Sequence, residues 1–197
     1  MSTGIVIAII ALAVLLVLIA GAVWMTMRRR HLRQRFGPEY DRTLDADGGD
    51  RLTAERELRG REQRHRKLDI KELPPEARER YAEEWKGAEE RFVDQPRQSV
   101  DDADHLVTQL MGDRGYPTDG YEQQVRDLSV EHAGTLEHYR AAHEVNARNM
   151  DGRATTEELR GAMVHYRALF QELLGSNQSS RRSEHHHQHR GTRYGAA

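Results

Sequence analysis

Thr155–Gly175 reads TTEELRGAMVHYRALFQELLG, and this stretch decides the fold class. Thr155 followed three residues later by Glu158 has the capping-box spacing, in which each side chain accepts the other residue's backbone N–H. Leu159, Ala162, Met163, Tyr166, Leu169, Phe170, Leu173 and Leu174 then recur at three- and four-residue intervals, one broad apolar face of a helix. Gly175 supplies the stop. A helix with one such face needs other elements to cover it.

Upstream, the same pattern repeats. Leu136, Tyr139, His143, Ala147 and Met150 mark a long helix, and Tyr121, Val125 and Leu128 a shorter one. Val100, Ala103, Val107, Leu110 and Met111 mark another, opened by Asp94 and Pro96 and stopped at Gly115 before Tyr116-Pro117. After Leu73-Pro74-Pro75, which starts a helix, Ala77, Tyr81, Trp85, Ala88 and Phe92 form a further stripe. No stretch alternates with period two long enough to argue for a strand. Residues 70–175 therefore predict an all-α bundle of four to five helices. Residues 176–197, SNQSSRRSEHHHQHRGTRYGAA, have almost no apolar content and predict a disordered tail.

Residues 37–69 are of another kind. Gly37-Pro38 and Asp47-Gly48-Gly49-Asp50 punctuate the chain, with a short helix between them. From Arg51 to Leu68 charge runs almost all round, with Leu52, Leu58 and Leu68 as the large apolar residues. Glu55/Arg59, Glu57/Arg61 and Glu62/Arg66 are i,i+4 pairs in the favourable order, so this segment predicts a solvated helical stalk.

Gly4–Met27 contains no charge: GIVIAIIALAVLLVLIAGAVWMTM. As a helix it is about 36 Å long, enough to span a hydrocarbon core of about 30 Å with some tilt. A cleavable signal would need a basic n-region, a shorter apolar run and a small-residue cleavage site, and Met1, Ser2 and Thr3 begin no such pattern. A basic neck follows at residues 28–36, with Arg28, Arg29, Arg30, Arg33 and Arg35 on that flank and no lysine or arginine on the other. Basic flanks stay cytoplasmic, so these arginines predict a single-pass signal-anchor in the cell membrane, N-terminus outside and C-terminal domain in the cytoplasm.

The formal net charge of −2 conceals an uneven distribution. Residues 28–73 carry 14 Lys/Arg against 10 Asp/Glu, residues 74–175 carry 12 against 21, and residues 176–197 carry 4 against 1. The acidic body argues against a phosphate-binding surface and thus against nucleic acid as a partner. With no cysteine there is no disulfide framework, thiol catalysis or cysteine-held metal. The phosphate loop GxxxxGK[ST], the GxGxxG fingerprint, the GxSxG elbow and HExxH are all missing.

Glu62-x-x-His65 and Asp102-x-x-His105 have the spacing of bundle di-metal motifs, but the first lies in the charged stalk and the second points away from the Val100/Val107/Leu110 face. His185, His186, His187 and His189 offer imidazoles in an arginine-flanked tail, where any metal binding is expected to be weak and adventitious. His132, Tyr139, His143 and Asn146 fall with Leu136 and Met150 on one helical face that should meet the bundle interior. His132 and His143 stand about 16 Å apart along the axis, too far to share one ion. They are expected either to satisfy core hydrogen bonds or to line a small-ligand or proton-sensing site. No cofactor and no metal is expected.

The segments RFGPEYDRT, LPPEARERYAEEW, RFVD, ADHLVTQLMGDRGYP, DLSVEH, YRAAH and TTEELRGAMVHYRALFQELL resemble those of a family of single-span, N-terminally anchored membrane proteins of high-GC Gram-positive bacteria. The resemblance covers roughly Arg35 to Leu174 and brings no catalytic residue to any position here. The expectation is a non-enzymatic interaction or scaffolding protein held on the lipid bilayer and engaging another protein. The alternative is a membrane-tethered bundle that senses a small ligand or pH through the histidine face.

Overall fold

The computed structural model describes residues 3–175 and, among them, eight α-helices and no strand. The all-α expectation holds, with an N-terminal helix long and apolar enough to cross a membrane. The chain divides into two compact units between Arg59 and Gly60.

The first unit holds α1 (Thr3–Phe36), α2 (Pro38–Ala46) and most of α3 (Arg51–His65). No proline interrupts the chain before Pro38, so α1 runs unbroken from the apolar stretch through the arginine neck. Leu12, Val14, Leu16, Val17 and Leu18 are exposed, an apolar surface that the protein itself leaves uncovered. Gly37, at φ 49°, turns the chain out of α1, and Pro38 at the first helical position opens α2. Leu32, Phe36, Tyr40 and Thr43 are buried. The Asp50 carboxylate starts α3 by accepting from the Leu52 N–H at 3.0 Å and the Thr53 hydroxyl at 2.5 Å.

Helix α3 corrects the expectation of a solvated stalk. Ala54, Leu58, Arg61 and His65 are all buried at a four-three-four spacing, and Glu55 and Glu62 are buried beside them. Counting large apolar residues conceals this stripe, because arginine buries its stem and histidine its ring while the polar end finds a partner. Leu52, which such a count includes, is 53% exposed. Of the three expected ion pairs, Glu62–Arg66 closes at 2.9 Å, whereas Arg59 Nε donates to the Glu55 backbone carbonyl at 2.8 Å.

The second unit begins with the last residues of α3 and continues through α4 (Pro75–Arg91), α5 (Pro96–Asp113), α6 (Tyr121–Glu131), α7 (Ala133–Met150) and α8 (Thr156–Leu174). Helix α8 packs on α5 and α7, α4 packs on α5, and α6 on α7. The stripes read from the sequence form the core: Tyr81, Trp85 and Ala88 of α4, then Val100, Ala103, Val107, Leu110 and Met111 of α5. From α8 come Leu159, Tyr166, Leu169, Phe170 and Leu173, with Trp85 and Phe170 stacked at 4.6 Å. The capping box is formed, with Thr155 N–H donating to Glu158 Oε2 at 2.8 Å and Glu158 N–H to Thr155 Oγ1 at 3.3 Å.

Arg61 Nη1 donates to Ser129 Oγ of α6 at 3.4 Å, and the His65 ring lies 5.9 Å from that of Tyr116. Gly115 ends α5 at φ 93°, and a Cβ there would stand 2.3 Å from the Asp69 carbonyl oxygen. Only glycine permits this crossing, which the Lys71 N–H secures with a 2.9 Å bond to the Arg114 carbonyl. The expected tail, residues 176–197, with His185, His186, His187 and His189, lies outside the described residues.

Candidate functional site

Helices α7 and α8 form an antiparallel hairpin whose register is set by paired residues: His132 with Glu172, His138 with His165, Tyr139 with Tyr166, and Arg148 with Glu158. This register places the four residues of the sequence-derived histidine face in three separate surroundings.

His132 sits at the α6–α7 junction, buried, with Nδ1 2.7 Å from Glu172 Oε1 and Nε2 3.1 Å from the Tyr116 hydroxyl. The carboxylate can only accept, so Nδ1 donates to Glu172 and Nε2 faces the tyrosine hydroxyl. Both nitrogens are thereby occupied. Burial, reinforced by the Glu131 charge, pushes the Tyr116 hydroxyl well above its ordinary pKa, so it remains a donor.

His143 stands in a second cluster. Its Nδ1 lies 3.4 Å from Asp104 Oδ1, an atom that also accepts from the Tyr166 hydroxyl at 2.6 Å, and its ring stacks on Tyr121 at 4.0 Å. The His143 side chain is 33% exposed, so this edge of the cluster reaches solvent. Burial alone would raise the Asp104 pKa, but hydrogen bonds from His143 and Tyr166, with the charges of His143 and His105, outweigh it and hold the carboxyl below the usual range. Tyr139, 1% exposed, donates to Gln124 Oε1 at 2.5 Å. Burial, then the Asp104 charge, pushes both Tyr139 and Tyr166 far above the ordinary tyrosine pKa.

Asn146 accepts from Asn149 Nδ2 at 3.3 Å, and the same amide donates to the Arg97 carbonyl at 2.9 Å. The far end of the predicted face is wrong: Met150 is 77% exposed and Ala147 is exposed, while Ala142 and Asn149 are buried. The buried positions Leu136, Tyr139, Ala142, Asn146 and Asn149 recur mostly at three residues. That interval is shorter than a helical turn, so the inner face rotates around α7 along its length.

The other sequence candidates are dispersed. Asp102 pairs with Arg91 at 2.7 Å and takes a Gln98 amide bond at 3.0 Å, while His105 lies 3.8 Å from Asp101. Glu62 pairs with Arg66, whereas His65 Nε2 is 3.8 Å from Glu131. Among the described residues no group of three or more His, Asp or Glu is placed to hold a metal ion. In the neck, Arg29 Nε is 3.4 Å and the Tyr40 hydroxyl 3.4 Å from Glu55 Oε1, Arg33 reaches Asp41 at 3.5 Å, and the Arg28 guanidinium lies 4.7 Å from the centre of the Trp24 ring.

Two features had no counterpart in the sequence reading. A groove of about 500 Å³ runs between α4 and α5, lined by Glu83, Glu84 and Arg91 on one side and Asp102, His105, Leu106 and Gln109 on the other. On the α7–α8 pair, the rings of His138 and His165 meet at the surface, their Nδ1 atoms in a 2.9 Å hydrogen bond. The His165 pKa is lowered by burial and by the neighbouring His138. Both features join residues from separate helices, and although Asp102 and His105 have a local spacing, nothing local pairs them with Glu83 and Glu84 or His138 with His165. No protein-family model, curated protein or solved structure matches the chain.

Proposed function

We propose that this chain is a single-pass cell-membrane protein with its N-terminus outside and its bundle in the cytoplasm, acting as a non-enzymatic interaction module for another protein. The five neck arginines support the orientation through their charge bias. The resemblance of its phrases to those of single-span proteins of high-GC Gram-positive bacteria is in keeping with the same arrangement.

The observation that carries the functional reading is the α4–α5 groove, open to solvent, where Glu83 and Glu84 stand on a body rich in acid while Asp102 is held by Arg91 of the same groove. A basic segment of a partner protein complements it, and opposite charge speeds encounter and excludes acidic competitors. His132, by contrast, already has both ring nitrogens engaged within the bundle.

The test is a photo-crosslinker at position 109 of the membrane-embedded chain. A discrete crosslinked protein is expected, and E83K/E84K should abolish it while leaving expression unchanged. A crosslinking pattern unaffected by that charge reversal would contradict the groove as the docking face. A second reading, pH sensing, is favoured by one observation: His143 combines partial exposure with an Asp104 partner. That reading requires partner crosslinking to change between about pH 5.5 and 7.5, across the ordinary histidine range, and His143→Gln to remove the change.

A further inference from the structure

We infer that His138 of α7 and His165 of α8 form a surface site for a divalent transition-metal ion of the copper(II) or nickel(II) class, with two imidazole ligands from this chain and water in the remaining positions.

The spacing carries the inference. Metal–imidazole bonds of about 2.0–2.1 Å place two ligand nitrogens about 2.9 Å apart when they meet the ion at a right angle, and about 3.3 Å apart at a tetrahedral angle. The two Nδ1 atoms are hydrogen-bonded at 2.9 Å, a separation that equals the cis edge of the tetragonal geometry that copper(II) and nickel(II) prefer. The rings lie 5.1 Å apart between centres and 29° from parallel. Binding requires the hydrogen shared by the two Nδ1 atoms to move off them, to Nε2 or to solvent, and each ring to turn about its Cβ–Cγ bond toward the ion.

The helices hold the pair in register. The next residues, Tyr139 and Tyr166, are buried and packed edge to face at 6.3 Å, so the backbone carrying the histidines is fixed by the core on its inner side. Outward there is room. Gly134 and Gly161, each one turn before its histidine, have nothing within 4 Å of where a side chain would begin. The interior histidines offer no such site, since His132 has both nitrogens engaged and His143 is stacked on Tyr121.

The experiment uses the full chain in detergent with the tail imidazoles replaced (H185N, H186N, H187N and H189N), titrated with copper(II) and followed by electron paramagnetic resonance. One equivalent should bind tightly and show hyperfine coupling to two imidazole nitrogens. His138→Gln and His165→Gln should each weaken binding about a hundredfold, as expected when one of two linked ligands is lost, and leave coupling to a single nitrogen. Thermal melting of the metal-free variants should match the original, because both changes lie at the surface. Copper affinity and hyperfine pattern unchanged in both variants would overturn the assignment.

Discussion

Asp104 is the residue at which burial and hydrogen bonding pull in opposite directions. Its carboxylate gathers Tyr166 and His143 onto one oxygen, and the bonds prevail over desolvation to depress its pKa. A depressed carboxylate contributes stability that is present above the unfolded value of about 3.9 and lost as pH falls through the folded value. Asp104→Asn should therefore cost about 1.5–3 kcal/mol at pH 7, the usual worth of hydrogen bonds to a charged group, and flatten the acid limb of stability. Urea melts of both proteins between pH 3 and 7 measure this. An acid limb of equal slope in both would show that Asp104 does not couple to folding. At the alkaline end, Tyr81 is pushed up to about 12 by burial and by its 2.8 Å bond to Asp113. The stability from the neutral phenol is complete below about pH 10 and fades as pH rises through the folded value.

At the scale of the element, two glycines at the end of α5 oppose each other in sign. Gly112 is exposed in the helix, and a Cβ would meet Thr118 at an ordinary 3.7 Å, so Gly112→Ala should stabilise by about 0.5–1 kcal/mol. Gly115→Ala places a methyl against the Asp69 carbonyl at a positive φ and should cost about 1–3 kcal/mol. Denaturant midpoints of the two variants should move in opposite directions, and a shift of the same sign would refute the tight crossing. Helices α4, α5 and α8 were legible in the sequence because their inner residues are large, apolar and regularly spaced. Helix α3 was not, because its inner stripe is built from Ala54, Leu58, Arg61 and His65, two of which read as solvent-facing. On α7 the fixed-period reading placed His143 and Asn146 near the interior but carried Met150 inward with them, since it assumed a face that does not rotate. The His138–His165 pair lies beside the inner stripes of α7 and α8, and its partners are 27 residues apart, so only the hairpin register reveals it.

For the whole molecule, the division at Arg59/Gly60 defines what should fold alone. A fragment from Gly60 to Gly175 keeps the Arg61–Ser129 bond and the His65–Tyr116 contact, whereas one from Asp69 lacks both. Both should be helical by circular dichroism, and the longer one should melt cooperatively at the higher temperature. Equal melting temperatures would remove the end of α3 from the bundle.

Above all, the proposal rests on sidedness: the arginine neck is taken to hold the acidic bundle in the cytoplasm. The absence of cysteine allows single reporters to be introduced, Ser2→Cys before the span and Ala82→Cys at an exposed position of α4. A membrane-impermeant maleimide applied to intact cells should label the first and reach the second only after permeabilisation. Labelling of Ala82→Cys in intact cells, with Ser2→Cys protected, would contradict the cytoplasmic bundle.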